Sequence, residues 1–245
     1  VNLVIAGITL RQLLSRRRTV LLLLLAGLLV LIAIIYRLTG GDGARSLTFT
    51  GRLLSTFGLA TLMPLVALLF GTGAVGSEID DGTVVYLLSK PIPRRTIIFT
   101  KLAVAALCSV LLTSIPILLA GLIAAGGPAD GLVLGFTVGS VVGSVVYCAI
   151  FVALSLVASR ALIFGLLYVL IWEGLLAALF AGTRTFSVRQ QSLAFADAIA
   201  NAPPHVLEAR LPLATAAVVA GLIFVIAVAL AIRRLSRFEI AGERG

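Results

Sequence analysis

At 245 residues the chain is long enough for a sizeable domain, but 60% of it is hydrophobic and only 12% is charged. A soluble globular domain carries about 25% charged residues, so a water-covered sphere is excluded and the bulk solvent is lipid, in line with a mean hydropathy of +1.18. The net charge of +9 then reads as arginine in cytoplasmic loops and at headgroups, with no call for a nucleic-acid partner.

The first stretch, VNLVIAGITLRQLLSRRR, places Leu3, Gly7, Leu10 and Leu14 at helical spacing, with Arg11, Gln12 and Ser15 among the polar positions. This suits a short amphipathic helix in the headgroup plane, its arginines meeting anionic lipid; the plainer alternative is a frayed basic tail. Six stretches then come close to or exceed the roughly 20 apolar residues that a helix needs to cross about 30 Å of hydrocarbon: 19–36, 56–76, 102–125, 131–158, 162–182 and 212–232. Pro64 and Pro116 fall inside two of them, which neighbouring spans can accommodate. The first stretch is longer than a signal-peptide core and is followed by five more, so it reads as a retained anchor. With both termini cytoplasmic, the inner segments hold thirteen Lys and Arg and the outer loops six, and the positive-inside rule selects that orientation.

Along the spans, Gly71, Gly73 and Gly76 spell G-x-G-x-x-G. That spacing marks a dinucleotide turn only between a strand and a helix. Here it closes an apolar span, so the glycines serve close helix approach or a helix end. No phosphate-binding G-x-x-x-x-G-K-[ST] occurs, so the chain holds no ATP in such a loop of its own. Cys108 and Cys148 lie in apolar runs and read as small hydrophobes, and His205 stands alone in a Pro-Pro-His loop; neither makes a metal site. Gly131, Gly135, Gly139 and Gly143 share one helix face and predict tight packing against a neighbour in the same chain or in a second copy. Glu173, beside Trp172, lies near the middle of the fifth span, where an acid costs about 2.5–3.5 kcal/mol and must face protein or water. Glu173 and Trp172 are candidates for a transport pathway or gate, and a purely structural hydrogen bond is the other reading of Glu173. The segment 183–211 is too polar to span and predicts a short helical cap on the outer face or a solvated loop.

The cytoplasmic segment 77–101, SEIDDGTVVYLLSKPIPRRTIIFTK, is the most informative. Ser77 is a candidate helix cap, and Glu78, Asp80 and Asp81 suit a helix N-terminus. Val84, Val85, Leu87 and Leu88 are too few to enter the membrane, and Arg94, Arg95 and Lys101 lead back to lipid. Acidic, apolar and basic parts in that order make a docking surface for a soluble partner. The pattern E-x-x-x-G-T-x-x-x-L-L-S-x-P-I-x-R-x-x-I-x-x-x-K, formed by Glu78, Gly82, Thr83, Leu87, Leu88, Ser89, Pro91, Ile92, Arg94, Ile97 and Lys101, resembles the permease subunits of type 2 ATP-binding cassette (ABC) exporters. The stretch LLYVLIWEGLLA, residues 166–177, resembles a motif of bacterial branches of that family.

The resemblance implies an all-α membrane protein of six transmembrane helices, with an N-terminal interfacial helix and a cytoplasmic coupling helix between spans 2 and 3. It implies a bacterial plasma-membrane location and a homodimer or a pair of related permeases. Two copies of a separate ABC ATPase subunit would bind the ATP and Mg, with no cofactor in this chain. Glu78, Asp80, Asp81, Gly82, Thr83, Leu87 and Leu88 would lie at the ATPase surface, with Arg94 and Arg95 at the membrane return. Three other classes fit the residues less well. An intramembrane enzyme lacks clustered catalytic groups at membrane depth. A gradient-driven transporter would show internal repeats and several polar sites in its spans, and a membrane scaffold would bind partners without moving substrate. The almost wholly apolar spans lean toward lipids, hydrophobic drugs or antibiotics as substrates.

Overall fold

The computed structural model describes residues 3–14, 17–40, 44–80, 93–200, 202–207 and 209–242, and every regular element among them is helical. Among the described residues five helices are long and apolar enough to cross a bilayer: Thr19–Leu38, Arg45–Gly76, Arg94–Ala125, Ala129–Val157 and Leu213–Leu235. They match five of the six expected spans. The expected fifth, 162–182, forms a shorter apolar helix over Ala161–Leu176, and its continuation turns back.

The elements are α1 (Leu3–Leu14), α2 (Arg17–Leu38), α3 (Ala44–Leu53), a π-helical segment (Leu54–Leu62), α4 (Met63–Asp80), α5 (Arg94–Ala125), α6 (Leu132–Val157), α7 (Ala161–Leu167), a second π segment (Tyr168–Leu176), α8 (Ala177–Leu179), α9 (Val188–Asp197) and α10 (Leu213–Gly242). Through the first π segment, α3 and α4 form one continuous rod. Pro64, which has no amide hydrogen to give the ladder, follows just after that segment. Just before Pro64 the turns widen, and the Met63 amide bonds the Gly58 carbonyl five residues back. In the second π segment the Ala177 amide likewise reaches Trp172.

The bundle has a base, where α4 stops and α5 starts, and a crown, where α2 meets α3 and α5 meets α6. At the crown Ser46 donates to the Ala124 carbonyl at 2.8 Å, and Tyr36 stacks on Phe49 at 3.7 Å. Gly126, at φ +74°, closes α5 and packs against the Arg37 guanidinium, a backbone conformation that favours glycine. Helix α6 is the centre, packed by α4, α5, α9 and α10. Leucines and isoleucines exposed along α2, α5, α7 and α10 form the lipid-facing belt.

The glycines of the G-x-G-x-x-G run serve helix approach. The helix continues past them to Asp80, and a Cβ on Gly71 would meet Phe151 Cβ of α6 at 2.8 Å. Helix α1 forms as expected, but its buried face is Ile5, Thr9 and Leu13, one register away from the Leu3-Gly7-Leu10-Leu14 stripe. Gly7 and Leu10 of that stripe are exposed, while α1 packs on α5 and α4 through its other side.

Candidate functional site

Two groups of residues carry chemistry in this otherwise apolar molecule, one at the base and one deep under the crown. At the base, α4 and α5 descend side by side. Helix α5 has 32 residues against 22 in α2, so at about 1.5 Å per residue its first ten or so residues reach beyond the base end of α2. The lower turns of α4 and α5, with α1 alongside, make a stem. Lys101 lies within it, 1% exposed, and donates its Nζ hydrogen to the Ala74 carbonyl across the helix pair at 2.8 Å. A buried ammonium stands where a helix nears its C-terminus, the end whose dipole favours a cation.

Of the residues expected at a coupling surface, Asp81, Gly82, Thr83, Leu87 and Leu88 lie outside the described residues. Glu78 and Asp80 lie on the last turn of α4 and Arg94 and Arg95 on the first turn of α5, so the stem brings these two sets to one end of the bundle. Glu78, Asp80 and Ser77 thus belong to a helix C-terminus, whereas the N-terminal capping role expected for them needs a helix start. The long α4 helix simply runs through them. Arg94 is half-buried and Arg95 exposed. Lys101 was legible only as a cation leading back to lipid; an ammonium seven residues into an apolar helix is the signal that it is tied down.

Under the crown, the segment expected as an outer cap does something else. After α8 the chain turns back through a 3-10 stretch, Ala181–Phe186, and α9 begins deep in the bundle. Its depth follows from its neighbours on α6. A Cβ on Gly143 would meet Ser192 Oγ, one on Gly139 would meet the Ser192 carbonyl, and one on Gly135 the Ala196 carbonyl, all closer than 2.5 Å. Gly131 faces the Ile199 carbonyl. The glycine face of α6 is therefore a slot for α9 of the same chain, running from mid-span at Gly143 to the crown at Gly131. A helix with Arg, Gln and Ser in its sequence tolerates this depth because it is walled by protein.

The inner end of α9 is held from two sides by the π segments. Glu173, 6% exposed, accepts from the Ser187 hydroxyl and, at 2.9 Å, from the Val188 amide. The Ser187 Oγ in turn accepts from the Gln190 amide at 3.2 Å as the N-cap of α9. A carboxylate at a helix N-terminus meets free amide hydrogens and the positive end of the dipole. On the other side the Arg189 guanidinium donates to the Ser55 carbonyl at 3.5 Å, and the Ser192 hydroxyl lies against Met63 Sδ. The turn itself is fastened to the second π segment by Thr183, whose hydroxyl donates to the Leu176 carbonyl, and to α8 by Arg184, whose Nε donates to the Ala177 carbonyl.

Glu173 thus joins two elements by hydrogen bonds. Trp172, its neighbour in sequence, is half-buried and on a different face. Ser144 Oγ and Gln191 Oε1 are buried nearby without hydrogen-bond partners among the described residues. Cys108 and Cys148 are both free and buried, as read from their apolar settings. Among the described residues no cluster of metal-ligating side chains occurs.

A family model described as ABC-2 family transporter protein matches residues 12–187, well over half of the chain. No curated protein matches the sequence. The matched region contains the stem, the glycine slot, Glu173 and the Ser187 that caps α9. With its long apolar helices and these paired elements, the chain is a multi-pass membrane protein that belongs to the ABC-2 family of transporter proteins.

Proposed function

We propose that this chain is the membrane-spanning permease of an ATP-driven exporter. It works as a dimer and couples through its base to separate ABC ATPase subunits that bind the ATP and Mg. The observation that carries the reading is the stem. Lys101 links α4 to α5 at the point from which the chain leaves for residues 81–92, so force applied to that segment moves two long helices together. One of those helices continues through a π segment to the crown, where α9 is held, so a displacement at the base has a rigid route to the far side. ATP supplies the driving energy only if the ATPase binds it more tightly in one permease conformation than in the other.

A further feature supports the pairing of two permeases. Arg52 and Thr56 are exposed on the crown half of the rod, beside the Ser55 carbonyl that Arg189 meets. A polar face at that depth is costly against lipid and suits a wall facing a second copy across a wet path. The rest of the spans is apolar, which supports a lipid, hydrophobic drug or antibiotic as cargo. Glu173 belongs in this scheme as a residue that positions α9 at the edge of the path, with Trp172 further out as a lining candidate.

The test is co-purification from the native membrane in mild detergent. A soluble ATP-binding protein is expected with the tagged chain and absent from the double variant Glu78→Arg with Leu87→Asp, while expression stays normal. If no ATPase accompanies the wild-type chain in detergent or in nanodiscs, the exporter reading falls and a gradient-driven transporter replaces it.

A further inference from the structure

Between α2 and α5 the lipid-facing surface is broken by an apolar groove of about 520 Å³. Its floor is buried Ala26, Phe70 and Cys108, and its walls are exposed Leu23, Leu111 and Ile115. The groove starts at Leu10 and Thr19 and runs to Val30 and Leu119. Thr19 to Val30 is eleven residues of helix, or about 16 Å, which is about half of the ~30 Å hydrocarbon core. The groove therefore has the length of one leaflet, the one at the base. Thr19, its main polar lining residue, is satisfied by its bond to the Leu13 carbonyl, so nothing inside asks for a polar ligand. Gly27 opens the upper wall, with nothing within 4 Å of where its Cβ would stand.

The mouth has the opposite character. Arg11 is exposed directly after Leu10, on a helix, α1, that carries no acidic residue. An apolar slot one leaflet deep with a cationic mouth matches one kind of molecule in a membrane. We infer that this groove is a binding site for an anionic phospholipid of the base-side leaflet, one acyl chain lying between α2 and α5 and the phosphate at Arg11. The ligand is held stoichiometrically, and it packs α1 and α2 against the stem. This inference uses only the membrane location and stands apart from the ATPase reading.

The experiment reconstitutes the full chain in phosphatidylcholine nanodiscs containing a trace of phosphatidylglycerol with a photoactivatable acyl chain. Cross-links are expected on Leu23, Leu111 and Ile115, displaced by unlabelled phosphatidylglycerol and not by added phosphatidylcholine. Gly27→Trp, which fills open space, should lower the yield about tenfold without changing the thermal transition, and Arg11→Gln should bring the preference between the two lipids to near unity. Cross-links spread evenly over α2, α5 and α10 would show only boundary lipid and overturn the proposal. Disulfide-linked copies of a Gly27→Cys variant would overturn it in favour of a second chain in the groove.

Discussion

The stem and the α9 pocket each bury an ionisable side chain, Lys101 and Glu173, and they do it at opposite ends of a helix. Lys101 gives a hydrogen to a carbonyl toward the C-terminal end of α4, and Glu173 takes hydrogens from the N-terminal turn of α9. Both obey the same dipole rule. They differ in what surrounds them. The stem is an antiparallel helix pair with side chains on both faces, so its members can shift by a side-chain torsion. The α9 pocket is backbone against backbone at Gly135 and Gly139, where an added atom meets a carbonyl first. The base is joined by a side-chain bond, and the crown side by close backbone approach at Gly135 and Gly139.

The sharpest test of that difference is glycine substitution. Gly139→Leu drives a side chain into the Ser192 carbonyl and should expel α9 from its slot. It is expected to lower stability by about 3 kcal/mol or more, the upper range for overpacking, read as a drop in thermal midpoint in detergent. Gly73→Ala is the matching change in the stem, where the Cβ would meet only the end of Leu13 at 3.2 Å. A similar drop there would abolish the contrast. Next comes the carboxylate. Glu173→Ala leaves the Val188 amide and the Ser187 cap without their acceptor, at about 1–3 kcal/mol. Glu173→Gln keeps one acceptor oxygen and should recover about half of that. Cysteine accessibility at Gln190 should rise in the Ala variant and stay low in the Gln variant.

Lys101→Met is a subtler change. An apolar side chain of similar shape in place of a buried charge is often close to neutral, so stability should move by less than about 1 kcal/mol. If the stem transmits force, substrate-stimulated ATP hydrolysis in the reconstituted complex should fall severalfold all the same; unchanged stimulation would leave Lys101 a packing residue. The smallest effect belongs to Gly73→Ala itself, within about 0.5 kcal/mol of wild type, as for substitutions away from special features.

The solvent, the helical class and most spans follow from the sequence alone. In lipid every backbone amide must be paired within its own segment, so long apolar runs have one outcome, and residues 19–36 or 102–125 can be read without a partner. The motif around Glu78 to Lys101 locates the segment that distinguishes this chain from other membrane proteins. The span count was less secure at 162–182, because an apolar run says nothing about where its continuation goes.

What tertiary structure alone decided is the pairing of faces. The glycine repeat announced a close neighbour, but glycine carries no side chain to say which, and the neighbour is a polar helix that hydropathy had assigned to the outer surface. Ser187, Val188 and Glu173 meet across a turn whose geometry no periodicity encodes. The buried side of α1, Ile5, Thr9 and Leu13, is chosen by packing against α4 and α5. Sequence determines how each segment treats water and lipid, whereas the choice among several apolar or small-residue faces is made by shape, and shape exists only once the helices are assembled.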